Sequence, residues 1–152
     1  MLFAREQQLP LSVRAGGHSV AGSAVCEGGL MLDVSPMKGI LVDPARRTAL
    51  AQTGLMLREF DHETQGFGLA TTLGAISVTG IAGLTLGGGV GWLTRSYGLA
   101  CDNVLAADVV TADGELVSAN AEENQDLYWA LRGGGGNFGV VTALTYRLHP
   151  VT

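Results

Sequence analysis

The sequence predicts an α+β domain, and three observations carry that prediction. Two pairs of apolar runs lie close enough in the chain to form hairpins. One pair is Gly39–Val42 with Thr48–Ala51, around Asp43-Pro44-Ala45-Arg46-Arg47; the other is Leu105–Ala112 with Glu115–Ser118, around Asp113-Gly114. Between and around them lie stretches whose apolar residues recur at helical spacing. Neighbouring strands that form hairpins leave no room for a crossover helix between them, so a regular βαβ repeat is not expected.

Each element has its own local reason. Residues 2–8 read as the end of a helix. Leu11 to Arg14 is a short apolar run that reads as a strand, and Leu30 to Val34 as a second. Leu55 to Thr64 carries Leu57 and Phe60 at helical spacing with polar residues between. A further helix is expected to start near Thr79 as N-cap and to break in the Gly87–Gly91 run. Asp113-Gly114 is a strong signal for a two-residue hairpin. Glu122 to Leu131 reads as a helix with acids in its first turn, which its dipole favours, and Gly133–Gly136 ends it. Val140 to Leu148 reads as a long final strand.

Composition excludes several classes of function. The net charge is -5, charged residues make up only 15%, and no basic cluster exceeds Arg46-Arg47, so no nucleic-acid partner is expected. Cys26 and Cys101 are far apart, and nothing in their spacing demands a disulfide. His18, His62 and His149 have no metal-ligand spacing, so no metal site is expected. Met1-Leu2-Phe3-Ala4-Arg5-Glu6 is charged too early for a signal peptide, which favours the cytoplasm. From Thr64 to Thr94 no charged residue occurs, a length that spans a bilayer on paper. Nine glycines and several Thr and Ser fall within it, so a buried, ligand-facing segment is the better reading, and no membrane partner is expected.

Glycine is the outlier of this composition, with 23 residues in 152. Arg14-Ala15-Gly16-Gly17-His18-Ser19 follows the first strand, and two glycines there let main-chain N–H groups approach a bulky anion. Gly80–Gly91 holds a second dense run. Glycine costs roughly 0.5–1 kcal/mol per helix position relative to alanine, so such a run opposes a helix unless something must come close. Gly134-Gly135-Gly136-Asn137-Phe138-Gly139 matches G-x-G-x-x-G, but it follows a helix and precedes a strand. A dinucleotide fingerprint needs the reverse order, so a Rossmann NAD site is rejected. The run reads either as a helix end with a wide turn or as backbone lining a ligand.

Taken in order, four segments resemble the bacterial berberine-bridge-enzyme-like flavoproteins. Those proteins carry the FAD-binding domain of the vanillyl-alcohol-oxidase and para-cresol-methylhydroxylase (VAO/PCMH) type. The segments are Leu11–Ser19, Gly83–Leu99, Asp102-Asn103-Val104 and Asp126–Thr142. The resemblance covers nearly the whole chain. It implies that FAD is the cofactor and that His18 bonds the flavin through the 8α-methyl carbon. A neutral imidazole suits attack on an electrophilic form of the ring. It implies that Arg14, Ala15, Gly16, Gly17, His18 and Ser19, with Thr79, Gly80, Ile81, Ala82, Gly83 and Leu84, serve the pyrophosphate. Gly87, Val140 and Val141 fall to the same site. Relatives with a second flavin bond carry a cysteine eight residues before the position of Leu84; here Ile76 stands there, so a single covalent link is the most this chain is expected to make.

The resemblance further implies an FAD-linked oxidoreductase. In the complete enzyme a hydride would leave a small-molecule substrate C–H for the flavin, with oxygen as acceptor. Residues 1–152 then correspond to one FAD-binding domain, incomplete at both ends, with the substrate domain and its catalytic base absent; no catalytic residue is assigned here. Asp61-His62-Glu63 reads as a solvated helix face. The rival reading is a remnant or excised domain without activity of its own.

Overall fold

The computed structural model describes residues 1–151. Its helices are α1 (Leu2–Glu6), α2 (Leu57–Gln65), α3 (Ile81–Leu86), α4 (Thr94–Tyr97) and α5 (Gln125–Leu131). Its strands are β1 (Leu11–Arg14), β2 (Leu30–Asp33), β3 (Ile40–Asp43), β4 (Thr48–Gln52), β5 (Leu69–Ala70), β6 (Val104–Val110), β7 (Leu116–Asn120), β8 (Val140–Arg147) and β9 (His149–Pro150). A five-stranded antiparallel sheet in the order β3-β4-β8-β6-β7 forms the body. β1 and β2 form a separate parallel pair, and β5 pairs with β9. The α+β expectation holds. Among the described residues no helix is long and apolar enough to cross a membrane.

One face of the large sheet makes the core. Ala49 and Ala51 of β4, Ala107 and Val109 of β6, Ala119 of β7, and Leu144 and Tyr146 of β8 are all buried there. Alanines at these positions let helices lie close to the sheet, and Leu57, Phe60, Ile81 and Leu131 fill the space above them. Phe60 meets Tyr146 edge-on, with ring centroids 5.2 Å apart.

Three local expectations need correction. Gly80, not Thr79, is the N-cap of α3. The Thr79 carbonyl instead accepts the Leu57 N–H at 2.9 Å, and the Ile81 N–H donates to the Leu55 carbonyl at 3.0 Å. That stitching makes residues 79–81 an extended neighbour of residues 55–57 before the helix starts. The β6–β7 loop is longer than two residues: the Gly114 N–H closes a turn onto the Thr111 carbonyl, Gly114 takes φ +80°, and the Thr111 N–H reaches Glu115. α5 begins at Gln125 rather than Glu122, because the Asn120 side chain accepts the N–H groups of both Glu122 and Glu123 and holds them in a turn. The parallel pairing of β1 with β2, the β5–β9 pair and α4 were not expected from the sequence.

Candidate functional site

Two glycines bring the site together. A Cβ added to Gly80 would lie 2.7 Å and 2.8 Å from the N and Cα of Gly16, and one added to Gly16 would strike the backbone of Gly80. Only two residues without side chains can touch this closely. The loop after β1 and the entry to α3 therefore meet backbone to backbone. Gly54, packed onto the carbonyls of Val34, Ser35 and Met37, ties the same region to the end of β2.

Above this contact opens a cavity of about 480 Å³, within the range of small-molecule sites. The loop of Ala15, Gly16, Gly17, His18 and Ser19 forms one wall. Thr79, Gly80, Ala82, Gly83 and Leu84 form a second. Val140 and Val141, at the start of β8, close a third side. The structure thus gathers most of the residues singled out from the sequence. It leaves three outside the lining. Ile81 is fully buried in the core. Gly87 caps the far end of α3. Arg14 turns its guanidinium to Asp33, 3.0 Å away.

The cavity also takes residues that sequence reasoning did not single out: Val13, Ser23, Ala24, Val34, Thr53 and Leu86. Thr53 had no sequence signal, since its partners are remote. Its hydroxyl donates to the Val141 carbonyl at 2.7 Å and its N–H to the Thr142 carbonyl at 3.1 Å. It thereby fixes the start of β8 against the cavity. Gly135, Gly136 and Gly139 line it too, so the Gly134–Gly139 run is both a helix-to-strand turn and a cavity wall.

The chemistry of the lining is backbone donors and apolar surface. Among the described residues, the N–H groups of Gly16, Gly17, His18 and Ser19 donate to no protein acceptor. The N–H groups of Ala82 and Gly83 are likewise free, while that of Ile81 is used. His18 is the one ionisable side chain of the lining, and it is exposed. The Ser19 hydroxyl is engaged within its own loop, 2.8 Å from that of Ser23. Just outside, Asp33 is held below the usual carboxylate range by hydrogen bonds from Ser35 and then by the Arg14 charge. The nearest cation is thereby neutralised, and an anion in the cavity would meet dipoles rather than a positive side chain.

Two glycines leave this cavity open. Gly83 and Gly136 both line it, neither has a positive φ, and no protein atom lies within 4 Å of where a Cβ would sit on either. Nothing within the protein requires glycine there. The two glycines leave the backbone bare on the cavity side, and free N–H groups beside apolar walls suit a nucleotide that carries both a diphosphate and a flat ring.

Comparison with known proteins agrees. Residues 1–120 match the family described as FAD binding domain. An FAD-linked oxidoreductase of Dictyostelium discoideum is 46% identical over 149 residues, covering 98% of this chain and 32% of that protein. The (R)-6-hydroxynicotine oxidase of Paenarthrobacter nicotinovorans is 42% identical over 147 residues, covering 97% and 32%. Among solved structures, 6-hydroxy-D-nicotine oxidase from Arthrobacter nicotinovorans superposes with a TM-score of 0.96 at 42% identity, covering 98% of this chain and 33% of that one. The wild-type berberine-bridge-enzyme-like protein 1 of Physcomitrella patens gives 0.93 at 34% identity, covering 99% and 33%. The chain spans about a third of the length of these relatives. It belongs to the FAD-binding domain family, with the VAO/PCMH-type fold that this domain has in berberine-bridge-enzyme-like relatives.

Proposed function

We propose that the cavity holds FAD and that His18 anchors it covalently, as part of an oxidase that takes a hydride from a small-molecule C–H and passes electrons to oxygen. The observation that carries this reading is the convergence of two glycine loops and one histidine on a single cavity. The N–H groups of Gly16, Gly17, Ala82 and Gly83 would receive the diphosphate, since each is a free donor at or beside the Gly16–Gly80 contact. Val140, Val141 and Leu84 offer apolar surface to the ring. His18 stands exposed on the cavity wall at the end of the first loop, where its imidazole is free to form a bond. FAD itself supplies the hydride-accepting ring. The protein's part is to bind, to orient and to exclude water.

The lining contains no carboxylate, and its one histidine is assigned to the tether. A proton acceptor for the substrate is therefore not placed among these residues, and neither is substrate specificity.

The test is made on the full-length protein that contains this domain. It is expected to be yellow and to keep its flavin colour in the pellet after acid precipitation. His18→Ala is expected to release the flavin into the supernatant while still folding. Equal retention in that variant would sink the tether at His18. A colourless wild-type protein that also fails to take up added FAD would sink the whole reading.

A further inference from the structure

Tyr146 is fully buried, and its hydroxyl lies 2.9 Å from Oγ1 of Thr85, itself 1% exposed. This is a polar pair inside an apolar core, between the middle of the sheet and a cavity-lining helix. Burial pushes the phenol far above its ordinary range, so it stays neutral at any working pH. A Phe and a Val would fill the same volume without two hydroxyls to satisfy. The pair supplies something that shape alone does not, which is direction.

α3 needs that direction. It has six residues, no side-chain cap at either end, and a glycine inside it. So short a helix has little stability of its own. Ile81 and Thr85 lie four residues apart on the stripe facing the core, whereas Ala82, Gly83 and Leu86 face the cavity. Helix N–H groups point along the axis, so rotation would not re-aim them, but it would exchange these two stripes and carry the backbone of Ala82 and Gly83 off the cavity wall. The two ends of α3 are held by backbone hydrogen bonds, from the Ile81 N–H to the Leu55 carbonyl and from Gly133 and Gly135 to the Leu86 carbonyl. The hydroxyl pair is the side-chain hydrogen bond that ties Thr85, between those ends, to the sheet.

We infer that Tyr146 is a positioning residue, which acts through Thr85 to fix the rotation of α3 and so keep Ala82, Gly83 and Leu86 on the cavity wall. In its consequence for ligand binding, this rests on the reading of the cavity as the FAD site.

The test uses the full-length protein that contains this domain, carrying His18→Ala so that FAD binds reversibly, in three variants, Tyr146→Phe, Tyr146→Phe with Thr85→Val, and Thr85→Ser, each followed by thermal melting, amide hydrogen exchange and FAD titration. Tyr146→Phe is expected to lower the melting temperature and to speed exchange at the hydrogen-bonded amides of Thr85–Gly88 by about three- to tenfold, the scale of one neutral hydrogen bond, with β4 and β8 unchanged. FAD binding should weaken by a similar factor. The double variant removes the orphaned hydroxyl, so its melting temperature should recover, while α3 exchange stays fast and FAD binding stays weak. Thr85→Ser keeps the hydroxyl and loses a methyl, and should exchange like the His18→Ala parent. Unchanged α3 exchange in Tyr146→Phe would overturn the inference. So would full recovery of exchange in the double variant, or a Thr85→Ser chain as loose as Tyr146→Phe, since either would reduce the pair to packing. If the His18→Ala parent takes up no FAD, the exchange data still decide the role of Tyr146, and it is the reading of the cavity that fails.

Discussion

The floor and the rim of the cavity both use glycine, for opposite reasons. At the floor, Gly16 and Gly80 exclude each other's side chains by direct backbone contact. At the rim, Gly83 and Gly136 face open space with ordinary backbone angles. The floor glycines answer to the fold. At the rim no protein contact and no backbone angle asks for glycine. This difference separates, within one glycine-rich sequence, the residues that build the site from those that leave room in it, and substitution by alanine should tell them apart.

The largest effect belongs to the floor. Gly16→Ala and Gly80→Ala each place a methyl against backbone, which cannot swing aside as a long side chain would. Each is expected to cost about 1–3 kcal/mol, the range for overpacking a tight contact, read as a lowered denaturation midpoint. The double variant should cost less than the sum of the two, because separating the loops once admits both methyls. Additive losses would mean that the two glycines serve separate contacts, and the floor would lose its meaning as a single junction.

The floor was only half legible in the sequence. Runs of glycine after a strand and before a helix mark both loops, and their free N–H groups follow from the same residues. Which glycine touches which was not legible. That contact depends on the parallel pairing of β1 with β2, and those strands are joined by a 15–29 loop that carries no helix to announce a crossover. Arg14 shows the same limit. Its place in the glycine loop suggests a phosphate contact, but Asp33, nineteen residues on, takes the guanidinium first. The short elements escaped for a different reason. Two-residue strands such as β5 and β9 have no period to detect, and they exist only because the chain returns past them.

Gly83 gives the sharper contrast. It sits inside α3, where glycine costs roughly 0.5–1 kcal/mol relative to alanine. No protein atom would meet the new methyl. Gly83→Ala is therefore expected to stabilise the chain by about that amount while weakening FAD binding, because the methyl enters the cavity. Melting and FAD titration of the same sample check both halves. A stabilised variant that binds FAD as wild type does would show that nothing presses on this part of the rim.

The ion pair beside the floor should leave a smaller, pH-dependent mark. In the folded chain the carboxyl of Asp33 titrates below its ordinary value, through hydrogen bonds from Ser35 and then the Arg14 charge. A carboxylate with a depressed folded pKa binds protons more readily when unfolded. Its contribution is complete above the unfolded pKa, about 3.9, and is lost as pH falls through the folded value. Asp33→Asn should therefore lower the melting temperature slightly at neutral pH and flatten its fall below about pH 4, so that the two proteins converge in acid. Because both side chains are partly exposed, added salt should shrink the difference between the two proteins. Curves for wild type and variant that run parallel through the acid range would remove Asp33 from the account of the floor.

The smallest expected effect on folding is at Gly136, and it is the most informative for the rim. Gly136 lies in a turn, so alanine brings no helix stabilisation to confuse the reading. It needs no positive φ, unlike Gly133 and Gly135 on either side of Gly134. Its methyl would meet no protein atom. Gly136→Ala should melt within about 0.5 kcal/mol of wild type, the usual range for a surface change away from special features. Gly135→Ala, which forces a side chain onto φ +76°, should melt lower and serves as the control within the same turn. If Gly136→Ala leaves stability alone yet weakens FAD binding, the ligand reaches this wall and the Gly134–Gly139 run is part of its site. If both stability and binding are unchanged, the wall at Gly136 stands clear of the cofactor, and the rim narrows to α3 and the loop that carries His18.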